Sequence, residues 1–260
     1  MKRKYALLSL ISVTLFFSSC STPSYFIPAA AGNDVSYLPK PMESDSLKVK
    51  NYISASIAAL DLPYGTGAVD LGFLNFSRGH TLKNINIAYG AYGFAGATNY
   101  DSEYNKTNAV PEFDGKGIFG GGLRTSIGYY DNAGNAEFRI LSWENALSFE
   151  SGNYADFRKK MRNLNDPNII SSTKTTLFTT GGATEIIWHS KRNYNNHFAF
   201  RLFYGVTPGL NSSLRNEYNL DVNGGSFDFS FYFKLNKLYG IFNAGANKGA
   251  TSKLSLGYSF

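Results

Sequence analysis

From Ser226 to Leu235 the chain reads SFDFSFYFKL, a strict period of two that puts Phe227, Phe229, Phe231, Phe233 and Leu235 on one face and Ser226, Asp228, Ser230, Tyr232 and Lys234 on the other. Successive side chains of a strand point to opposite faces, so this is a strand with one apolar and one polar face. Thr251 to Phe260 repeats the device, with Leu254, Leu256, Tyr258 and Phe260 alternating with Lys253, Ser255, Gly257 and Ser259. A soluble strand with one wet face alternates too. An apolar face this uniformly aromatic, opposite a face that carries charge, suits hydrocarbon outside and a polar lumen inside.

Ten such segments can be placed, at roughly 50–61, 67–78, 84–98, 117–131, 136–150, 173–189, 197–207, 226–235, 238–246 and 251–260. They predict an all-β fold over 48–260: a closed, antiparallel, up-and-down transmembrane β-barrel of about ten strands. Outward faces are expected to carry Ile53, Ala55 and Ile57; Val69, Leu71 and Phe73; Ile85, Ile87 and Tyr89; Phe119, Leu123, Ile127 and Tyr129; and Phe198, Phe200, Leu202, Tyr204 and Val206. In the fifth segment Phe138 and Ile140 keep one parity and Leu141, Trp143, Leu147 and Phe149 the other, which a β-bulge near Ile140 reconciles. All the long connections fall in the odd-numbered set and every even-numbered one is short. That is the asymmetry of a membrane barrel, with short periplasmic turns and long extracellular loops.

Lys2, Arg3 and Lys4 precede an apolar run from Ala6 to Phe17, followed by Ser18, Ser19 and Cys20. The run is shorter than the ~20 residues of a spanning helix and fits a secretory leader over 1–19. Removing its three cations halves the formal net charge of +6 to about +3, so the basic balance does not argue for nucleic acid. Cys20 is the one cysteine, which excludes an intramolecular disulfide. Residues 20–47 contain Pro23, Pro28, Pro39 and Pro41 without alternation and read as an extended periplasmic tether. Tyr25, Phe26, Tyr37, Leu38 and Met42 are apolar for a free linker and are expected to dock on the periplasmic rim of the barrel or in its mouth.

Little of the sequence reads as catalytic chemistry. Gly115 to Gly120 formally matches G-x-G-x-x-G, but a strand follows where the dinucleotide site needs a helix. His80, His189 and His197 fall in or beside short turns with no carboxylate or thiol at ligand spacing, so no metal, cofactor or catalytic residue is assigned. Arg158, Lys159, Lys160 and Arg162 form a basic run on a helix-compatible stretch, either a solvated cap or a contact for anionic lipopolysaccharide. The alternation turns Arg124, Glu137, Arg139, Glu185, Arg201, Asp228 and Lys234 inward as a lumen polar cluster. Such charges must pair or stay hydrated, giving either a salt-bridged closed lumen or a narrow polar pore. Ten strands lie nearer to the filled eight-stranded barrels than to aqueous porins of about sixteen.

Phe17-Ser18-Ser19-Cys20 resembles a bacterial lipobox, which implies lipidation at Cys20; the alternative is ordinary cleavage after a small residue. Tyr258 and the terminal Phe260 resemble the C-terminal signal of outer-membrane barrels, which implies the barrel-assembly machinery as a partner during insertion. With Thr22-Pro23-Ser24-Tyr25, Pro28 and Leu38-Pro39-Lys40 between them, the chain resembles the small barrel lipoproteins of Bacteroidetes-type bacteria. The resemblance implies a bacterial outer-membrane location, outer-membrane lipid as a partner, and an anchor at Cys20 on the periplasmic side. The expected role is a non-enzymatic scaffold or accessory subunit in envelope assembly, secretion or uptake, with an envelope protein as partner. The alternatives are a narrow channel or small-ligand barrel, and a lipid- or peptide-modifying enzyme.

Overall fold

The alternating segments close on one another. The computed structural model describes residues 23–100, 110–193, 195–210, 214 and 224–260. Its barrel strands are β2 (Val49–Asp61), β3 (Ala68–Thr81), β4 (Ile85–Asn99), β5 (Gly117–Ala133), β6 (Ala136–Ser151), β8 (Thr176–His189), β9 (His197–Val206), β10 (Gly225–Leu235), β11 (Leu238–Asn247) and β12 (Gly249–Ser259). Each pairs antiparallel with its neighbours in sequence, and β12 pairs with β2 in a register that sets Leu254 against Ile57, so the ten-stranded ring is closed. Closure matters in a bilayer, where an unpaired strand edge would strand backbone groups without water. A separate two-stranded pair, β1 (Ser24–Phe26) and β7 (Ile169–Ser171), runs parallel at one mouth.

The exterior is greasy. Ile57, Leu74, Tyr204 and Leu256 are 65 to 71% exposed, and Phe200 stacks across strands on Phe229 and Phe231 at 5.8 and 4.9 Å. Such a surface is stable only in hydrocarbon. The bulge falls where the parity of the fifth segment changes: the β6–β8 register shifts between Arg139 and Ser142, leaving both Ile140 and Leu141 exposed. The outward assignment of β3 is corrected. Val69, Leu71 and Phe73 point inward and are buried, while Leu74 and Phe76 face out. The reason is that this part of the lumen is itself apolar, packed against Tyr25, Phe26 and Ile27.

Those three residues belong to the largest departure from the sequence reading. Residues 24–42 are buried throughout, running down the inside of the barrel rather than hanging below it as a tether. Ser24 to Ile27 sit at the mouth with the long loops, where the Tyr25 amide donates to Thr66 Oγ1 and Phe26 packs on Phe113 and Phe157. Asp45 lies at the opposite, short-turn mouth, bonded to Lys50 at 2.7 Å. An extended segment has no internal ladder, so its peptide groups need partners from the wall. Prolines reduce that demand, because Pro28, Pro39 and Pro41 bring no N–H into the interior. The composition that suits a tether therefore suits a plug equally well.

Two glycines shape the passage. Gly32 takes φ +77 in the turn that packs against Asn247 and Thr251. Gly79 leaves room for the plug backbone: a Cβ there would lie 2.8 Å from the Pro39 oxygen and 3.0 Å from Lys40 Cα. Gly79→Val is expected to destabilise the folded barrel by about 1–3 kcal/mol through overpacking. At Gly117 an added Cβ meets nothing within 4 Å, so Gly117→Ala should stay near the wild type in the same thermal-unfolding measurement.

Candidate functional site: the plugged lumen

At the long-loop mouth the lid is a helix, α1 (Asn153–Asn163). Tyr154, Phe157 and Met161 recur at helical spacing and are buried, while Asp156 in the first turn and Lys160 and Arg162 in the last complement the helix dipole. The Tyr154 hydroxyl donates to the Ile27 carbonyl at 2.7 Å, fastening lid to plug. The basic run is divided by this packing. Arg158 turns inward onto Glu150 and the Ser172 and Lys174 carbonyls, and Glu150 in turn accepts from the Ala29 amide at 2.7 Å. Lys159 and Lys160 stay exposed, beside Asp156 and Glu112.

In mid-lumen the wall grips the plug backbone. Arg124 Nε donates to the Asp34 carbonyl at 2.5 Å and Nη2 to the Asn33 carbonyl at 3.1 Å, with the guanidinium 3.8 Å over the Tyr92 ring. Lys253 Nζ donates to the same Asn33 carbonyl at 2.6 Å. The Asp34 carboxylate accepts from Thr179 Oγ1. Below this level Arg139 bonds Glu137 at 2.8 Å, Glu185 at 2.9 Å and the Pro41 carbonyl at 3.0 Å, and the Tyr37 hydroxyl donates to Glu185. Arg201 forms the third centre, held by Glu144, by Asp228 at 2.5 Å and by Ser230 at 2.9 Å. Charge-assisted bonds of this kind are strong where water is scarce.

Six of the seven residues assigned to the lumen by alternation thus enter three cationic centres on Arg124, Arg139 and Arg201. Lys234 is buried too, but apart from them at the short-turn end, opposite His197 in register. The sequence reading missed Asp34, Lys40, Glu144, Glu150 and Lys253, all buried. Glu144 and Glu150 take the inward parity once the bulge at Ile140 is placed, and Lys253 already stood on the polar face of the last strand. Asp34 and Lys40 carry no periodic signal. Among the described residues the buried carboxylates and the buried Lys and Arg number seven each. Between plug and wall, beside Ser36, Ser54, Asn75 and Arg124, a cavity of ≈ 20 Å³ leaves room for about one water.

The short-turn mouth is closed by Asp45, which accepts from Lys50 Nζ at 2.7 Å, lies 3.2 Å from His197 Nε2, and accepts from the Met42 amide. Burial raises its carboxyl pKa, but the His197 and Lys50 contacts outweigh burial and hold it well below the usual carboxylate range. A depressed carboxylate stabilises the fold above its unfolded value of ~4 and loses that contribution only as pH falls through the folded value. Asp45 should therefore stay ionised and hold the plug at neutral pH, whereas Asp45→Ala should admit a protease from that mouth. Limited proteolysis within 36–48 reads this directly. Among the described residues no His, Cys, Asp and Glu cluster suited to a metal ion is present. Residues 1–19 and Cys20 lie outside the described residues.

Closed strand pairing, a lipid-facing exterior and a charge-balanced lumen together define the class: a ten-stranded outer-membrane β-barrel, filled by its own N-terminal segment. Among solved structures the chain is similar to an outer membrane channel from Pseudomonas putida F1, at 11% identity and TM-score 0.42, covering 85% of this chain and 100% of that one. It is similar also to Neisserial surface protein A, at 13% identity and TM-score 0.36, covering 82% and 96%. A third similarity is to the transport unit of the autotransporter AIDA-I from Escherichia coli, at 11% identity and TM-score 0.39, covering 85% and 93%. Values this low assign no activity. No family model matches the sequence, and no curated protein matches it.

Proposed function

We propose that this protein is a self-plugged outer-membrane lipoprotein that works as a non-enzymatic scaffold or accessory subunit in envelope assembly, secretion or uptake. The observation that carries the reading is the continuous set of wall-to-plug bonds from Thr66 at one mouth to Asp45 at the other. A lumen occupied along its length by covalently attached chain has no free path for solute, so the surfaces left to act are the two mouths and the lipid-facing wall. The lipobox-like Phe17 to Cys20 supports the lipoprotein part of the reading.

The test is electrical and biochemical. The purified full chain in a planar bilayer is expected to give no stable single-channel conductance; a steady conductance would sink the scaffold reading and favour the narrow channel. Mild crosslinking in cells is expected to recover one recurring envelope protein.

A further inference from the structure

We infer that the plug enters the barrel from the cell surface, so that the N-terminal end of the mature chain, with any acyl group on Cys20, is presented at the outer leaflet and not at the periplasmic one. The acyl part rests on the lipoprotein reading; the direction of the plug does not.

The polarity of the segment can be followed bond by bond. Ser24 N donates to the Asn168 carbonyl in the loop between β6 and β8, and Ser24 to Phe26 pair with Ile169 to Ser171 of that loop. Thr66, which receives the Tyr25 amide, sits in the β2–β3 loop of the same mouth. Asn33 and Asp34 lie at the Arg124 level, Lys40 and Pro41 at the Arg139 level, and Asp45 at the mouth where β2 begins and β12 ends. The chain thus descends the lumen from the long-loop mouth and reverses between Asp45 and Val49 to enter the wall.

Sidedness follows from two general facts. Outer-membrane barrels keep short turns in the periplasm and long loops outside, and here all four connections at the Asp45 mouth are two to seven residues long, whereas the three long ones, 100–116, 152–175 and 207–224, share the Ser24 mouth with the short 62–67 and Lys248. Cys20 precedes Pro23 by three residues, which span at most ~11 Å when fully extended. The hydrocarbon core is ~30 Å thick. An anchor on Cys20 cannot reach the inner leaflet while Ser24 holds its place in the long-loop mouth. The β12–β2 seam must then close around the segment, since an acylated end is ill suited to being threaded through a finished ring.

The experiment is an epitope tag inserted between Thr22 and Pro23 of the full chain, compared with the same tag in the turn at Gly134-Asn135, probed by antibody on intact and on permeabilised cells. Heat-modifiable mobility in gels verifies that each barrel is folded. The expected result is full labelling of the Thr22/Pro23 tag on intact cells and labelling of the turn tag only after permeabilisation. Labelling of the Thr22/Pro23 tag only after permeabilisation, or of the turn tag on intact cells, overturns the inference. If either insertion fails to fold, Pro23→Cys and Ala133→Cys replace them, labelled with a membrane-impermeant maleimide against the unsubstituted chain as blank, with the same two outcomes. Mass spectrometry of the N-terminal peptide reads the acyl group separately. An unmodified Cys20 removes the outer-leaflet anchor and the lipoprotein reading, and leaves the tag result to decide the direction of the plug.

Discussion

Deletion of residues 24–45 is expected to convert a silent barrel into a conducting one, with stable single-channel steps that the intact chain lacks. The wall survives the deletion on paper, because every strand pair from β2 to β12 is made by strand residues alone. What disappears is the lumen's contents. Arg124 loses the Asn33 and Asp34 carbonyls, Lys253 loses Asn33, and Arg139 loses Lys40 and Pro41. Stranded cations in a dry interior are costly, and the cheapest remedy is water. At the long-loop mouth Phe26 and Ile27 no longer cover Phe113, Phe157 and Val69. Burying each large apolar side chain is worth about 1.5–3 kcal/mol, so the open barrel should also unfold at a markedly lower temperature. Conductance identical to the intact chain, with the deleted barrel shown to be folded, would mean that residues 24–45 do not obstruct the lumen.

That the molecule is a barrel is written in its sequence because the period of two is enforced twice, once by lipid and once by the lumen. A one-residue slip would bury the phenylalanines of β10 and expose Asp228 and Lys234. Where one of those constraints lapses, the reading fails. Alternation sends Val69, Leu71 and Phe73 outward, but Leu74 and Phe76 carry the outer face and the plug greases the inner one. Tyr25, Phe26, Tyr37, Leu38 and Met42 were the one clue that the proline-rich stretch does not stay in solvent. Their depth in the lumen was not legible, since an extended segment satisfied by wall side chains has no periodicity of its own. Parity alone gives the lumen cluster, and its three-centre grouping depends on registers such as Glu185 opposite Arg139, which only the folded ring supplies.

The second large effect belongs to Arg139. Its guanidinium is fully buried and answers Glu137, Glu185 and two plug carbonyls at once. Arg139→Met keeps the volume and removes the charge, leaving two carboxylates facing each other with Lys40 3.9 Å from one of them. Breaking a buried pair from one side costs about 3–5 kcal/mol, because the partner's desolvation is no longer offset. Urea unfolding in detergent should therefore show a loss of this order for Arg139→Met. Restoring neutrality by combining it with Glu137→Gln, which leaves Glu185 to Lys40, should recover most of the loss, since a neutral amide still accepts from the Glu43 amide that Glu137 now serves. The ordering decides between two views of the lumen. If the single and the double variants lose equally, Arg139 matters as the clamp on Lys40 and Pro41, and the plug is held by its backbone. If the double variant recovers, charge balance is what the closed lumen requires, and the plug is held chiefly by its shape and by Arg124.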